Sequence, residues 1–510
     1  MRAGPVSGVE PNRTRRWLFV SLFILAAALR AIDVNRPVDG SLRSSWRECD
    51  VAAMARNFYR EGMNPLFPRI DWRKDGPGFA EAEFPFVSWL TAVGYHLVGV
   101  KEELGRWITY GFVLLGNAAF LSLAFRRLGT TGTVGAGLFW AAQPLLFITG
   151  TALQPEPVML SFAVLSVALI ARWQDTGSTA SYWGAAAATS LAILAKSPGA
   201  FVGLVIGSVW LKKDGLRALK SWRLWTYGAI GLLPGLLWYA HAKSLWHRYG
   251  NSLGLSNEHH WLGVDTLTSP WVYRAIIELD IQHVWSLPGA IVGLVGLCLS
   301  LKSPGVRWGI CWLAPVYFFY VLAARTTSAS WAYYYHVIAV PGAALIFGAG
   351  VDTIPKAFEP SSWNARRLCR CAAATIVAGS ALLAFASFLR TYKENVHPAK
   401  LTDLYECAKS FQAKVEPAAA IAVIGRASLS ESGRPVAHDN PYFFYWMDKK
   451  GFVIAIDQLS ISALEDVKRK GVSYLVAEER YLNTRPDIAR EIEGKYKLIE
   501  ACEGVILFKL

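Results

Sequence analysis

Acidic side chains gather in one stretch of an otherwise apolar chain. Residues 33–104 contain Glu48, Asp50, Glu81 and Glu83 between the first two long apolar segments. A carboxylate can take the proton from a hydroxyl group while that hydroxyl forms a new bond, which is general-base catalysis. The stretch is long for a connection between two apolar helices, so we expect it to fold and to carry function.

Asp50 is the first candidate for such a base. Apolar residues recur at helical spacing before Gly62, so the pattern predicts an amphipathic helix over Asp50–Glu61 with Asp50 at its start. An Asp in this position can act simply as an N-cap. The positive end of the helix would also lower the pKa of Asp50 and keep it ionised, as a base requires. Both interpretations stay open, and the nearby Glu48, Glu81 and Glu83 could each be a solvated loop acid.

Further polar residues lie at the ends of apolar segments. Glu156 stands between two prolines with no other charge nearby, and an unpaired acid at a membrane boundary is costly, so we expect it to face a polar cavity. Lys196 and Arg325 are the only basic residues of their short loops. They could extend to lipid headgroups, or they could hold a phosphate together with Tyr334 and His336. The aromatic run around Tyr334 is equally typical of an interfacial aromatic belt.

The apolar segments predict a membrane protein. Apolar residues make up 53% of the 510 residues and charged residues 18%, against roughly 45–50% and 25% in soluble domains. Eleven stretches before residue 391 are apolar enough to cross a membrane. They are Trp17–Ile32, Gly105–Ala124, Thr133–Thr149, Val158–Ala171, Tyr182–Ala195, Ala200–Leu211, Trp225–Ala240, Val284–Leu301, Trp308–Ala323, His336–Val351 and Ala372–Leu389. We therefore predict a mostly α, polytopic membrane domain over residues 1–390, in which Pro85–Gly99 forms a second surface helix beside Asp50–Glu61.

The distribution of charge predicts the orientation. The net charge of +14 is 52 Lys and Arg minus 38 Asp and Glu, and residues 391–510 contribute nothing to it, with 17 of each sign. We assign the excess to membrane topology and exclude a nucleic-acid partner. Basic residues concentrate in segments that become cytoplasmic when the N-terminus is cytoplasmic. Eleven crossings then place residues 33–104 and 391–510 outside. The first apolar stretch could instead be a signal peptide, which leaves the later topology unchanged.

The tail, residues 391–510, predicts a soluble, extracytoplasmic α/β domain. Short apolar strands at Ile421–Ile424, Phe452–Ile456, Ser473–Ala477, Lys497–Ile499 and Val505–Phe508 alternate with amphipathic helices at Leu401–Lys414, Ala463–Lys470 and Pro486–Glu493. Cys407 and Cys502 could pair there, or both could be free thiols.

The chain contains no D-x-D, Walker or dinucleotide-binding motif, so a nucleotide site has no support. No cofactor is predicted with certainty. A divalent metal at Glu258, His259 and His260 stays open, although adjacent histidines in a polar loop are more often surface residues.

Several motifs in order resemble a known family. The chain has an early acid before an A-R-x-F/Y helix, then E-x-P at Glu83, P-E-x-x-M at Glu156, Lys-Ser-Pro at Lys196 and Y-Y-H-V-I-A-V-P from Tyr334. This set resembles the polytopic GT-C glycosyltransferases, nearest the family 39 group of protein mannosyltransferase and aminoarabinose-transferase type. The resemblance covers residues 13–390.

The resemblance implies a transferase in the cell membrane. It would move a sugar from a polyprenyl-phosphate donor to a lipid, glycan or protein acceptor, with inversion. The catalytic acid falls on Asp50, while Lys196, Arg325 and Tyr334 would hold the donor phosphate, and Glu83 and Glu156 would shape the sugar or acceptor site.

One departure from the family concerns the base. Relatives often carry an Asp-Glu doublet slightly earlier, where this chain reads Arg-Glu-Cys-Asp from Arg47 to Asp50, so Glu48 remains a rival. Two other classes of protein are kept as alternatives. A transporter or lipid flippase would carry ionisable residues at mid-membrane, and a non-catalytic scaffold gives no reason for so long and acidic a first loop.

The orientation can be tested with tags. A tag after Leu510 should be accessible only from outside the cell, and a tag near Asp214 should be protected, because an odd number of crossings separates them. Protease protection or impermeant labelling would measure this. Accessibility of both tags from one side would contradict the eleven-span topology.

Overall fold

The computed structural model describes residues 12–357 apart from 33, 41–44 and 256–263, then residues 402–428 and 440–510, and twelve positions between 371 and 390. Within this part of the chain, helices dominate up to residue 357, and a five-stranded sheet lies in the C-terminal α/β region, residues 402–510.

The first part of the chain folds into a bundle of helices. In chain order they are α1 (Asn12–Arg30), α2 (Ser45–Glu61), α3 (Phe86–Val98), α4 (Leu104–Arg127), α5 (Thr130–Ala141), α6 (Pro144–Gly150), α7 (Pro155–Thr176), α8 (Thr179–Ala195), α9 (Phe201–Asp214), α10 (Trp222–Tyr249), α11 (Val264–Leu267), α12 (Pro270–Asp280), α13 (Leu287–Leu299), α14 (Pro304–Leu322), α15 (Ala324–Thr327) and α16 (Val340–Ala357). A short π-helix at Ile281–Trp285 follows α12, and a 3-10 helix at Ser330–Ala339 precedes α16.

Ten of the eleven predicted apolar segments overlap these helices. Ten of the eighteen positions of the eleventh, Ala372–Leu389, are described, and all ten are helical. Among the described residues, four helices are long and apolar enough to cross a membrane alone, or up to six if two bent helix pairs each count as one. The exact number of spans is therefore not confirmed. Helices α8 and α9 fall short because they have only 17 and 14 residues. Leucines 232, 233, 236 and 237 of α10 are 43–64% exposed, as expected of a multi-pass membrane protein that faces lipid.

The α7–α8 hairpin shows how local sequence sets the geometry. Pro155 stands at the first position of α7, where its missing N–H costs nothing, and Gly177 ends the helix in the left-handed region with φ 70°. The side chain of Ser178 then caps α8 by accepting from the N–H of Ser181 at 3.3 Å. Because the two helices run antiparallel, the start of α7 and the end of α8 lie at the same end of the bundle.

The first long loop, residues 33–104, is folded as the sequence predicts. It contains α2, α3 and a short strand, β1 (Ala80–Glu81), which pairs in parallel with β2 (Asn251–Ser252) after α10. The predicted start of the first helix is wrong, because α2 begins at Ser45, five residues before Asp50. Asp50 therefore lies in the second turn and is not an N-cap.

The C-terminal α/β region confirms the predicted alternation of strands and helices. Its elements are α17 (Asp403–Lys414), β3 (Ala420–Gly425), α18 (Tyr442–Trp446), β4 (Gly451–Ala455), α19 (Ile461–Arg469), β5 (Val472–Glu478), α20 (Glu479–Leu482), α21 (Pro486–Lys495), β6 (Lys497–Cys502) and β7 (Val505–Lys509). The strand order is β4-β3-β5-β7-β6, with β4, β3 and β5 parallel and β7 antiparallel to both neighbours.

The sheet has two apolar faces with different partners. One face, including Ile424 and Leu475, forms a core with α19 and α21. The other face, including Val423 and Val476, joins the apolar core that continues through Trp72 of the first long loop into the helical bundle. The C-terminal region is therefore packed onto the first long loop, and both lie at the same end of the molecule.

Cys407 and Cys502 form a disulfide between α17 and β6, which decides between the two alternatives left open by the sequence. The bridge closes a sequence separation of 95 residues. Such a cross-link stabilises a fold mainly by restricting the unfolded chain, and the effect grows with the loop it closes.

Replacing both cysteines with Ala should lower the free energy of unfolding of the C-terminal region by about 2–4 kcal/mol. Hydrogen exchange of β6 and β7 in detergent would measure the loss. As a control, Cys371→Ala should have no effect, because that thiol is free and exposed. Unchanged exchange in the double variant would show that the disulfide adds nothing to stability.

Candidate active site

Helix α2 carries three charges within four residues and directs them to different neighbours. Arg47 and Asp50 are three residues apart, so they share one face of the helix, whereas Glu48 faces elsewhere. All three side chains are buried. Their contacts show which acids of the first long loop are fully bonded within the protein and which keep an oxygen free for a substrate.

Arg47 binds Glu83 in a closely fitted ion pair. Its Nη2 donates to both carboxylate oxygens of Glu83 at 2.7 Å. Burial alone would lower the pKa of Arg47, but the carboxylates of Glu83, Asp50 and Glu156 raise it on balance, so the guanidinium stays charged. The other terminal nitrogen, Nη1, is buried and makes no hydrogen bond with any described residue.

Asp50 is held at one oxygen and open at the other. Its Oδ1 accepts from the indole Nε1 of Trp72 at 3.0 Å, while Oδ2 is buried without a hydrogen bond among the described residues. Burial raises the pKa of Asp50 to about 7, although Arg47 and Trp72 act to lower it. The expectation of a low pKa is therefore wrong, because the carboxyl lies in the second turn of a buried helix and not at an exposed helix start.

The carboxylate of Glu48 is bonded within the protein. Its Oε1 accepts from Nη1 of Arg106 in α4 and from the backbone N–H of Leu153, at 2.8 and 2.9 Å. The side chains of Glu48 and Arg106 are only 1% and 3% exposed. A carboxylate held by a buried arginine and a backbone amide is poorly placed to receive a substrate proton, so the geometry favours Asp50 over Glu48.

Glu156 and Lys196 meet where the α7–α8 hairpin brings them together. The Nζ of Lys196 donates to Oε1 of Glu156, and both side chains are at most 10% exposed. The expectation that Glu156 lacks a charged partner is wrong, since the partner lies forty residues away. Its second oxygen, Oε2, is buried without a hydrogen bond among the described residues.

The ring of Tyr335 lies 4.3 Å from Nζ of Lys196, and the ring of Tyr334 lies 5.5 Å from it. Lys196 is therefore not an isolated phosphate clamp in this structure. Any anionic group that enters must share the lysine with Glu156.

His336 and Arg325 belong to a neighbouring cluster. His336 contacts Asp280 through Nδ1 and donates from Nε2 to the carbonyl of Thr327 at 2.8 Å. Arg325 lies half-buried in α15, which contains Thr327. His336 is thus linked to Asp280, and Arg325 shares the short helix α15 with Thr327, the residue that His336 contacts.

An apolar cleft adjoins the charged cluster. It is lined by residues of the two loop helices, α2 and α3, and of α7 and the end of α8. Its lining combines Glu83 and Gln154 with apolar side chains that include Met54, Phe86 and Val158. Such a cleft suits an apolar group whose polar end lies near Glu83.

The described residues form no cluster of metal ligands, since no three His, Cys, Asp or Glu side chains come together there. The predicted candidates Glu258, His259 and His260 lie outside the described residues. A metal at that loop therefore stays a prediction.

Sequence reasoning missed Arg47, Arg106, Trp72 and Asp280. It gave the basic residues of the first long loop no role, although each would need a partner if buried. A charged residue next to the candidate base, as Arg47 is, was the available signal. The roles of Arg106, Trp72 and Asp280 depend on contacts between distant segments.

One sequence family and several solved structures are similar to this chain. The sequence profile of the dolichyl-phosphate-mannose-protein mannosyltransferase family matches residues 77–239. No curated protein matches the chain in sequence.

Solved structures of low identity share the fold. ArnT from Cupriavidus metallidurans in the apo state has 16% identity and a TM-score of 0.64, with 98% of each chain covered. The same protein bound to undecaprenyl phosphate has 15% identity and a TM-score of 0.63, again with 98% of each chain covered. The oligosaccharyltransferase of Archaeoglobus fulgidus, tethered to an acceptor peptide, has 11% identity and a TM-score of 0.56 over 92% of this chain and 69% of its own.

These matches show the fold of the chain. The chain has the fold of the GT-C glycosyltransferases, and the resemblance inferred from its motifs is confirmed.

The Glu156–Lys196 pair gives a stability prediction. Lys196→Gln should lower the free energy of unfolding by about 3–5 kcal/mol, because it leaves the carboxylate of Glu156 buried without its cation. Adding Glu156→Gln should restore much of the loss. Thermal unfolding in detergent would measure both variants. The exposed pair of Arg274 and Glu278 is the control, and Arg274→Gln should change little. Equal effects of the Lys196 and Arg274 variants would contradict the burial argument.

Proposed function

We propose that the protein is a membrane glycosyltransferase that moves a sugar from a polyprenyl-phosphate donor to an extracytoplasmic acceptor, with inversion and with Asp50 as the base. The fold supports the class of reaction. A structural relative of nearly equal length has been solved with undecaprenyl phosphate bound, which supports a lipid-phosphate donor. The proposal also places the first long loop and residues 391–510 on the extracytoplasmic side of the membrane.

One observation carries the proposal. Asp50 presents a buried oxygen without a hydrogen bond, on the same helical face as an arginine with a buried nitrogen that also lacks one among the described residues. Buried polar atoms without hydrogen bonds are costly, and a substrate that offers a hydroxyl proton and an anionic oxygen would satisfy both. A pKa of about 7 lets Asp50 accept a proton near neutral pH and release it again.

The reaction follows from these groups. The acceptor hydroxyl attacks the anomeric carbon of the donor sugar, and Oδ2 of Asp50 takes the hydroxyl proton. The bond from the anomeric carbon to the phosphate oxygen breaks, and the electron pair leaves with the phosphate. Attack opposite the leaving group inverts the anomeric centre. Arg47 and Lys196 are cations that can stabilise the charge on the leaving phosphate.

The other polar residues take supporting roles in the proposal. Glu83 fixes Arg47, and Glu156 fixes Lys196, so each acid orients a cation and leaves an edge for a sugar hydroxyl. Tyr334 borders the same lysine. Arg325 and His336 act indirectly, through the cluster around Asp280, and do not contact the phosphate. The apolar cleft beside Glu83 is suited to the first isoprene units of the carrier.

The catalytic test compares two conservative variants. Asp50→Asn should reduce sugar transfer by about 100-fold or more, because an amide cannot accept the proton. Its thermal stability should stay at least as high as that of the wild type, since the amide avoids burying a charge. Wild-type transfer should rise with pH through about 7, as the Asp50 carboxyl loses its proton. Transfer from a polyprenyl-phosphate-sugar in detergent would measure both effects.

Glu48→Gln is the matched control for the neighbouring acid. It should lower stability, because Arg106 then loses its buried partner, while the pH dependence of transfer by the folded fraction stays as in the wild type. An active Asp50→Asn protein beside an inactive but folded Glu48→Gln protein would make Glu48 the base. Activity in both variants would remove the catalytic role of these two acids, whereas absence of transfer by the wild-type protein would favour the transporter alternative.

A further inference from the structure

Trp72 connects the candidate base to the C-terminal α/β region. Its indole Nε1 donates to Oδ1 of Asp50 at 3.0 Å, and the residue is only 4% exposed. Its backbone forms a parallel bridge with Gly451, the first residue of β4. The N–H of Gly451 donates to the carbonyl of Asp71 at 3.1 Å, and the N–H of Arg73 donates to the carbonyl of Gly451 at 2.8 Å. Residues 71–73 thus extend the sheet beside β4.

Residue 451 has no room for a side chain on the side of β3. A Cβ built there would lie 1.8 Å from the carbonyl oxygen of Ile421 in β3. Glycine therefore permits the close approach of β4 to β3 at this point. The two backbone hydrogen bonds of Gly451 to Asp71 and Arg73 hold the loop segment that carries Trp72 against the same residue of the sheet.

Charged contacts fasten the same three parts together. Arg56 of α2 donates to Asp71 at 2.8 Å and to the carbonyl of Tyr445 at 3.0 Å, and it also lies 3.1 Å from Asp448. Arg60 contacts Asp448 at 2.7 Å. Asp448 lies just before β4, so helix α2, the segment of Trp72 and the C-terminal region form one network.

We infer that the C-terminal α/β region is a positioning element for the base Asp50, acting through the bridge between Gly451 and Trp72. The inference rests on the proposed function, in which Asp50 takes the acceptor proton. A hydrogen bond to Oδ1 fixes the carboxyl so that Oδ2 stays turned towards the reacting groups, and it stabilises the ionised form that a base needs.

The charges around Asp50 show why this hydrogen bond matters. Arg47 on the same helix favours the ionised carboxyl, whereas burial, Asp71 and Glu83 disfavour it. The N–H of Trp72 is the second group that favours the ionised carboxyl of Asp50. When the C-terminal region is docked, the N–H of Trp72 is in place. When it is displaced, Asp50 loses that donor and its pKa rises, so a smaller fraction of the carboxyl is ionised and able to accept a proton at neutral pH.

Trp72→Phe tests the contact directly, since it removes the N–H and keeps an aromatic ring. The rising limb of the pH–rate profile should move to higher pH by about one unit or more, so that the rate at pH 7 falls about fivefold or more. At pH values above the shifted limb, kcat should recover towards the wild-type value. The matched control is Trp89→Phe in α3, where the indole donates to the carbonyl of Met63 at 2.9 Å. That variant should keep the wild-type limb.

Asp448→Asn tests the same coupling from the other side without touching Trp72. Weaker docking should move the limb to higher pH, by less than Trp72→Phe does. Loss of a negative charge acting through space would move it to lower pH, so the direction separates the two causes. Lys470→Gln is the control, because it removes an exposed contact of 2.9 Å between Asp75 and the same region.

The outcomes separate this inference from the proposed function. Activity in Asp50→Asn overturns the proposed function and the inference with it. An inactive Asp50→Asn protein, combined with a wild-type limb in Trp72→Phe and Asp448→Asn, overturns the inference alone. A higher acceptor KM without a shifted limb in Asp448→Asn also overturns it, because the region would then serve acceptor binding only. Shifted limbs in both variants, with unshifted controls, support it.

Discussion

Helix α2 places four charged side chains where little water reaches them, and this burial constrains its neighbours. A buried charge is costly unless a partner or a hydrogen bond compensates it. Arg47 is compensated by Glu83 in the segment after β1, and Glu48 by Arg106 of α4. Asp50 and Arg56 are compensated by Trp72 and Asp71. Because these segments are far apart in sequence, α2 can be buried only where all of them meet. The candidate active site lies at this meeting point.

Local patterns in the sequence predict the elements well. The five strands of the C-terminal region and most helices of the bundle follow from apolar periodicity, which depends only on near neighbours. The start of α2 shows where that reasoning stops. Ser45 and Glu48 have the spacing of a capping box, and this signal competes with the apolar pattern that begins at Val51. The capping-box signal predicts a helix that begins near Ser45, with Asp50 inside it, where burial raises the pKa of Asp50.

Contacts between distant segments could not be predicted in the same way. Glu156 and Lys196 each stand alone in their part of the sequence, so the sequence predicts a cavity for one and a phosphate for the other. Their pairing depends on the antiparallel α7–α8 hairpin, which places the two residues at one end of the bundle. The separation of His336 from Lys196 likewise follows from Asp280, whose contact with His336 spans 56 residues. Residue types therefore indicated the chemistry, and the fold decided which groups are available for it.

The bridge at Gly451 also bears on solubility. Strand β4 lies at one end of the sheet order, and an uncovered edge strand is a template for pairing with another chain. Residues 71–73 occupy that edge at its first residue. At the opposite edge, β6 carries Lys497 and Glu500 and ends in the cysteine of the disulfide, and inward or flanking charges discourage strand addition there. The two edges are thus protected by different means, and the protection of β4 comes from the membrane part of the chain. Severed from that part, the sheet would offer an open edge for self-association.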